Sequence, residues 1–423
     1  MTPESRASHT AGGGLSNAAV ADQLEAMLPQ LESDYREFHA HPELSMQETW
    51  TAGRIEEHLR ELDLEPQRFG GTGVVAVVEN GDGPVVAYRA DTDGLPIHED
   101  TGLEYASTAR GTLADGTETP VMHGCGHDTH ITVALGIARL LTSNREAWSG
   151  TVIMIFQPGE ETGEGALAML EDGLWEKLPK PQAVYGQHVW PNLAGQVSLS
   201  AGTAMAMSDC LRVTVRGKQA HGSQPEAAID PIVLAAFMVT RLQTVVSREI
   251  SAREAVVVTV ATIRGGLKEN IIPDSAEFTM NIRTFSEEVR ADVLAAIERI
   301  IYAEAEASGA PKPSIEEMYR FPRCYNSPQH AEELESVFAS AIGEDNVALT
   351  EPATGSEDVG RFGDSIGVPY VYWFFGAYSE EKMATPGGPA GNHSPFFAPD
   401  EVAKTLSTGV RTGIAAILHE LQR

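Results

Sequence analysis

The strongest candidate metal ligands in this chain lie in four segments that are far apart in sequence. They are Cys125 and His127, the pair Glu160 and Glu161, the single His188, and His393 near the carboxyl end. Thiolate, imidazole and carboxylate groups together bind borderline-soft divalent metals. A fold that uses these side chains in one centre must gather loops from most of the chain. The set therefore predicts a hydrolytic metal centre inside a large domain.

The first segment has glycine on either side of its cysteine, in the run His123-Gly124-Cys125-Gly126-His127-Asp128. Glycine lets the backbone come close to a metal or to a neighbouring chain segment. A carboxylate such as Asp128 is the kind of group that orients a liganding imidazole. A thiolate and an imidazole at this spacing suit one cation, or a pair of cations that share the sulfur.

The other segments follow apolar, strand-like runs or lie in loops. The apolar run 151–156 ends in a Pro-Gly turn that presents Glu160 and Glu161. Such adjacent carboxylates can divide their roles, one on metal and one on water. His188 follows the apolar stretch 183–186, and His393 lies in a loop preceded by Pro- and Gly-rich sequence.

Each of these residues alone also has an ordinary structural explanation. The chain has 13 histidines, so a lone His188 is more often structural than liganding. Cys125 alone is typical of a buried apolar residue, and a Glu pair is typical of a solvated turn. A thiol-dependent hydrolase that uses Cys125 is disfavoured because no separate base and orienting pair stands out. The joint placement of the residues favours a metal site.

Strand-like and helical stretches alternate along the chain. The runs 74–78, 85–88 and 152–156 are strand-like, and 131–142 is helical. This alternation indicates an α/β sheet covered by helices, and 423 residues exceed the size of a single core. We expect a flexible tail over residues 1–20, a catalytic domain over 21–206 and 311–423, and an inserted domain over 207–310 with two strand-helix-strand units of its own.

Charge and composition exclude some functions. The net charge of −30 argues against nucleic-acid binding, which needs a basic patch. No stretch approaches the roughly 18 consecutive apolar residues of a membrane span. The three cysteines give no even disulfide framework, so a reducing cytoplasm is the simplest location.

Six segments resemble the amidohydrolase branch of the aminoacylase/carboxypeptidase metallohydrolase family. They are residues 36–45, 89–97, 123–128, 157–161, 187–191 and 392–395. The branch includes hippurate hydrolases, N-acyl-amino-acid amidohydrolases and auxin-conjugate hydrolases, and the match runs in family order from about residue 30 to the carboxyl end. The resemblance implies a mixed-sheet catalytic domain with helices on both faces. It also implies a smaller α+β lid domain through which the chain forms a homodimer or a higher homo-oligomer.

The resemblance assigns roles to the candidate ligands. It implies that Cys125, His127, Glu161, His188 and His393 hold two divalent ions, which the ligand types allow to be Zn, Mn, Co or Ni. Glu160 then becomes the general base. A metal lowers the pKa of bound water toward roughly 7 and polarises the carbonyl of an amide. Asp91 or Asp128 would orient the ligands.

Three residues of the inserted domain also match the family. The resemblance implies that His221 reaches into the active site, often from the partner subunit, to stabilise the oxyanion. It places Asn270 and Arg283 against the substrate, where an arginine fork can bind a carboxylate. Each residue has a structural alternative: His221 and Asn270 as turn residues, and Arg283 as an exposed strand charge.

Together these observations predict a cytoplasmic, metal-dependent amidohydrolase that cleaves small N-acyl amino acids to a carboxylic acid and a free amino acid. A dipeptidase or carboxypeptidase with the same centre is the alternative enzyme. A catalytically silent metal-binding relative is the alternative of another class. Glu160 argues against that relative, since a binding site needs no base beside its metal. No nucleic-acid or membrane partner is expected.

Overall fold

The computed structural model describes residues 15–423, which divide into two compact units. The first contains the described residues up to Gly202, together with Asn326–Thr350 and Arg361–Arg423. The second contains Thr203–Tyr325 and Glu351–Gly360. The second unit thus includes residues 203–206, 311–325 and 351–360, which we had assigned to the catalytic domain.

The helices and strands alternate along the chain as follows. The helices are α1 (Asn17–Ala40), α2 (Thr49–Glu61), α3 (His127–Ser143), α4 (Gly165–Glu171), α5 (Leu174–Lys177), α6 (Pro231–Thr244), α7 (Glu287–Ala307), α8 (Pro328–Ile342), α9 (Gly360–Asp364), α10 (Glu380–Met383) and α11 (Val402–Leu421). The strands are β1 (Gln67–Phe69), β2 (Gly73–Asn80), β3 (Val85–Asp91), β4 (Arg110–Thr112), β5 (Glu118–Pro120), β6 (Gly150–Gln157), β7 (Ala183–Leu193), β8 (Val197–Leu199), β9 (Gly202–Met205), β10 (Met207–Arg216), β11 (Ala220–His221), β12 (Val257–Gly265), β13 (Ile271–Ile272), β14 (Ser275–Thr284), β15 (Ser314–Phe321), β16 (Cys324–Asn326), β17 (Val347–Leu349) and β18 (Tyr370–Tyr378).

The first unit is built on an eight-stranded mixed sheet, in the order β1-β2-β6-β3-β7-β18-β8-β17. The four central strands β6, β3, β7 and β18 are parallel, and β2 and β8 flank them in antiparallel pairing. Parallel strands are buried on both faces and therefore have continuous apolar runs. This confirms the α/β class and the mixed sheet.

Both faces of this sheet are buried. Val74, Val152 and Met154 belong to the core on one face, which α3 and α11 cover, and α1 packs on these two helices. The alternate residues Ile153 and Ile155 point the other way and are also fully buried. Helix α4 packs against β1 and β6.

The strand order creates a crevice at the carboxyl ends of the central strands. The chain leaves β3 through α3 to reach β6 on one side, and then passes through α4 and α5 to β7 on the other side of β3. Such a reversal of direction leaves a gap that binding sites use. Asp91 ends β3 directly opposite Gln157, which ends β6. The loops after these strands carry most of the candidate ligands.

The second unit is a smaller α+β structure. Its main sheet is antiparallel, in the order β12-β14-β10-β15, and α6 and α7 pack on it around residues such as Val213, Phe278 and Ile297. Strand β15 belongs here because it pairs with β10 over Ser314–Phe321. That pairing explains why the unit continues past residue 310.

The expected flexible tail over residues 1–20 is too long. Helix α1 begins at Asn17, where the Ser16 hydroxyl accepts a hydrogen bond from the amide of Ala19. Residues 17–20 therefore belong to the helix, and residues 1–14 lie outside the described part of the chain. Within residues 15–423, no helix is both long and apolar enough to cross a membrane.

Candidate metal centre

The loop before α3 presents Cys125 and His127 because of its glycine at position 126. Gly126 has φ +85° and is the residue before the first turn of α3. A Cβ atom there would lie 2.4 Å from Cγ1 of Val189. Only glycine has both the backbone freedom and the small size for this approach. The loop thus lies directly against the segment that follows His188.

The five predicted ligands come together in the first unit. The ligand atoms of Cys125, His127 and His188 lie within 4.8 Å of one another, and so do those of Cys125, Glu161 and His393. The Cys125 sulfur is 3.3 Å from Nε2 of His188. The donors therefore form two groups of three that share the thiol.

Backbone carbonyls fix the orientation of two of the imidazoles. Nδ1 of His188 donates to the carbonyl of Val189 at 2.6 Å, which leaves its Nε2 facing Cys125. Nδ1 of His127 donates to the carbonyl of Asp93 at 2.9 Å and lies 3.2 Å from Oδ1 of that residue. Such contacts hold the ring and its tautomer in place for a metal at the other nitrogen.

Two buried polar atoms at the centre fit a bound cation. Nε2 of His127 and Oε1 of Glu161 make no hydrogen bond to any residue from 15 to 423. They lie 3.9 Å apart, and Nε2 of His393 is 3.3 Å from the same oxygen. Buried polar atoms without partners cost free energy. A divalent cation would satisfy both atoms, so the residues present fit a metal.

The charge around the centre also favours a cation. Burial alone would lower the pKa of His127, but the carboxylates of Asp91, Asp93 and Glu161 outweigh it and raise that pKa to about 10. Burial raises the pKa of the Cys125 thiol, and the nearby glutamates raise it further. The site thus attracts positive charge, and a cation would offset the cost of ionising the thiol.

Asp91, and not Asp128, lies beside a candidate ligand. Asp91 is bonded to Arg89 at 2.8 Å, is hydrogen-bonded to Nδ1 of His130, and lies 3.6 Å from Nε2 of His127. Burial would raise the pKa of Asp91, but the Arg89 guanidinium and the contacts with His127 and His130 hold it well below its usual range. Asp128 instead accepts from Nδ1 of His39 at 2.6 Å. The first turn of α3 points its side chain toward α1, because neighbouring helix positions face different directions.

Asp93 is an orienting residue that the sequence analysis missed. Besides its contact with His127, it accepts from the amides of Glu160 at 3.1 Å and Glu161 at 3.0 Å, and from the hydroxyl of Ser45 at 2.6 Å. The signal was the pair Asp91-x-Asp93 at the end of a strand. Since alternate residues of an extended segment share a face, both carboxylates were candidates.

His130 is a second missed residue. Its Nε2 accepts from the amide of Val189 at 2.8 Å, so its Nδ1 carries the proton that it donates to Asp91. The spacing His127-x-x-His130 on a helix places both imidazoles on one face. That spacing could have revealed the residue.

Glu160 lies beside the ligands as a buried carboxylate. Only 5% of its surface is exposed. One of its carboxylate oxygens lies within 4.8 Å of a ring nitrogen of His127 and of a carboxylate oxygen of Glu161. A carboxylate in this place can exchange a proton with water at the centre.

The loop that carries His393 is fastened to the Cys125 loop. His393 has φ +67°, a conformation that residues other than glycine seldom adopt. Its amide donates to the carbonyl of Gly124 at 2.7 Å, and Asn392 donates to the carbonyl of Cys125 at 3.0 Å. These bonds hold the strained residue in place.

The three predicted lid residues all lie in the second unit. His221 and Asn270 are exposed on segments that adjoin, since the amide of Gly222 donates to the carbonyl of Asn270 at 2.8 Å. Nδ1 of His221 accepts from the amide of Ser223 at 3.1 Å. Arg283 donates to the carbonyl of Thr354 at 2.7 Å. Their roles at a substrate stay predictions.

Comparison with known proteins identifies the family. The family model described as peptidase family M20/M25/M40 matches residues 87–414. The chain is 35% identical to a thermostable carboxypeptidase of Saccharolobus solfataricus, over 86% of this chain and 89% of that protein. It is also 35% identical to an N-acetylcysteine deacetylase of Bacillus subtilis, over 91% and 96%.

A solved structure agrees with these relatives. The dinuclear metal-binding M20 peptidase YXEP of Bacillus subtilis superposes with a TM-score of 0.75 at 31% identity, covering 94% of this chain and 99% of that one. The mixed sheet and the convergent donors fit this likeness. The chain is a hydrolase of peptidase family M20/M25/M40.

Proposed function

We propose that the chain hydrolyses the amide bond of N-acyl amino acids and releases a carboxylic acid and a free amino acid. The observation that supports this proposal most directly is that two groups of candidate metal ligands share Cys125, with the carboxylate of Glu160 beside them. The name of the Bacillus deacetylase supports this substrate class. The metal ions, two per chain, are Zn, Mn, Co or Ni.

Glu160 is the proposed general base. Divalent ions, when bound, would supply a more acidic water and a polarised substrate carbonyl. Glu160 takes the proton of the attacking water and passes it to the departing amine nitrogen. Asp93 holds the amides of Glu160 and Glu161 and so sets where the base stands.

The second unit is the proposed lid. In this proposal His221 donates a hydrogen bond to the developing oxyanion, and Asn270 and Arg283 contact the amino-acid part of the substrate. Arg283 uses Nη1 on the carbonyl of Thr354, and its fork has further N–H groups for a carboxylate. The amino-acid part of the substrate carries that carboxylate.

Exposed apolar residues support the proposed homodimer. Strand β12 is an edge of its sheet and exposes Val257 and Ile263, and α6 exposes Val233 and Phe237. An unpaired edge strand beside apolar side chains is a surface that another chain covers. A cytoplasmic location is proposed too, since all three cysteines are free.

A carboxypeptidase is the second candidate, because relatives with that name match over most of the chain. Both reactions release an amino acid that bears a free carboxylate. They differ in the group on the other side of the bond: an acyl group in one case, a peptide in the other.

The test is release of free amino acid from N-acetyl and N-benzoyl amino acids and from dipeptides. We expect cleavage of the acylated substrates that a chelator abolishes and that added Mn, Zn, Co or Ni restores. Glu160→Gln keeps the shape of the side chain and should lower kcat by at least about a hundredfold. Cleavage of dipeptides alone favours the peptidase, and no turnover with any metal contradicts both candidates.

A further inference from the structure

Three successive amides hold the turn that carries the proposed base. The amide of Gly159 donates to Oε1 of Glu48 at 2.8 Å. The next two amides, of Glu160 and Glu161, donate to the two oxygens of Asp93 at 3.1 and 3.0 Å. Glu48 is fully buried and Asp93 is 1% exposed. Two buried carboxylates therefore fix the backbone of three consecutive residues.

Both acceptors are anchored by one short segment, residues 43–48, which we call the brace segment. Ser45 donates its hydroxyl to Asp93 at 2.6 Å. The carbonyl of Glu43 accepts from the amide of Gly94 at 2.7 Å, and Leu44 forms a β-bridge with the same residue. The sequence motif around residues 36–45 thus lies against the loop that follows β3.

The brace segment also covers the turn. Met46 has φ +63°, and its amide shares Oε1 of Glu48 with Gly159 at 2.8 Å. A Cβ atom at Gly159 would lie 2.5 Å from the sulfur of Met46. Thr72 donates its hydroxyl to the other oxygen of Glu48 at 2.6 Å. Glu48 is therefore held on both oxygens.

We propose that Glu48 is a positioning residue for the general base, acting on Glu160 through the amide of Gly159. This inference rests on the proposed function of Glu160. Glu48 accepts the amides of Met46 and Gly159 on one oxygen and the hydroxyl of Thr72 on the other, so it ties the turn to the brace segment. Loss of that hold moves the turn and with it the base. A misplacement on the order of 1 Å costs about a hundredfold in rate.

The test compares Glu48→Ala and Glu48→Gln with a buried glutamate elsewhere. Glu420 is 2% exposed and accepts from the hydroxyl of Tyr185 at 2.8 Å, so Glu420→Gln is the matched control. We expect Glu48→Ala to lower kcat roughly tenfold to a hundredfold while KM changes less than about threefold. Glu48→Gln keeps an acceptor oxygen and should recover most of kcat. The control should keep the wild-type kcat.

A second readout needs no activity. Hydrogen exchange of the peptide 157–165 in the chelated protein should be at least about tenfold faster in Glu48→Ala than in the wild type or the control. If the wild type cleaves no acylated amino acid, the proposed function fails, and exchange still decides whether Glu48 holds the turn.

Two results would overturn the inference. One is unchanged exchange of the turn in folded Glu48→Ala, and the other is an equal loss of kcat in the control. If Glu48→Ala does not fold, Thr72→Val decides, because it removes only one donor to Glu48. It should speed exchange of the turn by about threefold, and unchanged exchange there contradicts the proposal.

Discussion

Replacing Asp93 by asparagine should weaken metal binding more than the same replacement of a buried aspartate that bonds to none of the candidate ligands. Asp93 accepts from four donors: the hydroxyl of Ser45, Nδ1 of His127, and the amides of Glu160 and Glu161. Asparagine has almost the same shape, but an NH₂ group replaces one oxygen. At least one buried N–H then faces another donor.

The size of the effect follows from these bonds. A buried donor without an acceptor costs about 1–3 kcal/mol. The remaining bonds also lose the assistance of a negative charge. We expect Asp93→Asn to destabilise the turn that carries Glu160 and Glu161 by a total of about 2–4 kcal/mol. Part of this cost should appear as a roughly 10- to 100-fold loss of metal affinity.

The assay is a competition titration of Zn²⁺ between the protein and a chromophoric chelator, with urea unfolding of the same samples. Asp128→Asn is the matched control, because Asp128 is equally buried but bonds to His39. It should lose stability and keep its metal affinity within about threefold. Equal affinity in Asp93→Asn and the wild type, or an equal loss in Asp128→Asn, would refute the reasoning.

Two further predictions concern the pH dependence of stability and the glycine of the loop that carries Cys125 and His127. His39 is hydrogen-bonded to two buried carboxylates, those of Asp128 and Glu99. Burial would lower the pKa of His39, but these carboxylates raise it to about 9. Because the folded pKa exceeds the unfolded value of about 6.5, the stabilisation is complete below pH 6.5 and is lost as the pH rises through about 9. We expect a loss of about 3 kcal/mol between these limits, seen as a lower urea midpoint in the wild type and absent in His39→Gln. Gly126→Ala should destabilise by about 2–4 kcal/mol, since it strains the backbone and pushes against Val189. Gly71 also has a positive φ, +88°, but a Cβ atom there would meet open space. Gly71→Ala should therefore lower the melting temperature clearly less than Gly126→Ala does. Equal decreases would contradict the steric argument.

The α/β class was predictable because the central strands are apolar on both faces. Runs such as 152–156 need no partner to be recognised, since a buried parallel strand is a continuous apolar stretch. Strand β15 was assigned to the wrong domain for the opposite reason. Most of its residues are exposed, and only its pairing with β10 shows where it belongs. Pairing between distant segments leaves little trace in a single sequence.

The convergence of the candidate ligands was predictable, and Asp91 was named as an orienting group, but Asp93, His130 and Glu48 were not. Cys125 and His127 stand in a glycine-rich loop whose chemistry is visible in the sequence. The choice between Asp91 and Asp128 depended on which way the first turn of α3 faces, and that follows from packing against α1. Asp93 was signalled only by its spacing from Asp91 at the end of a strand. Glu48 acts through a backbone amide of a distant turn, which no residue pattern reveals.

The most direct test of the metal centre is to count the ions bound per chain as activity appears. Native mass spectrometry of the chelated protein, titrated with Zn²⁺ or Mn²⁺ and assayed on an N-acetyl amino acid, gives both quantities for the same sample. We predict that activity saturates with two ions bound, and that Cys125→Ala loses both ions together because the two donor groups share its sulfur. Full activity with no ion bound, or Cys125→Ala with two ions at wild-type affinity, would contradict the account.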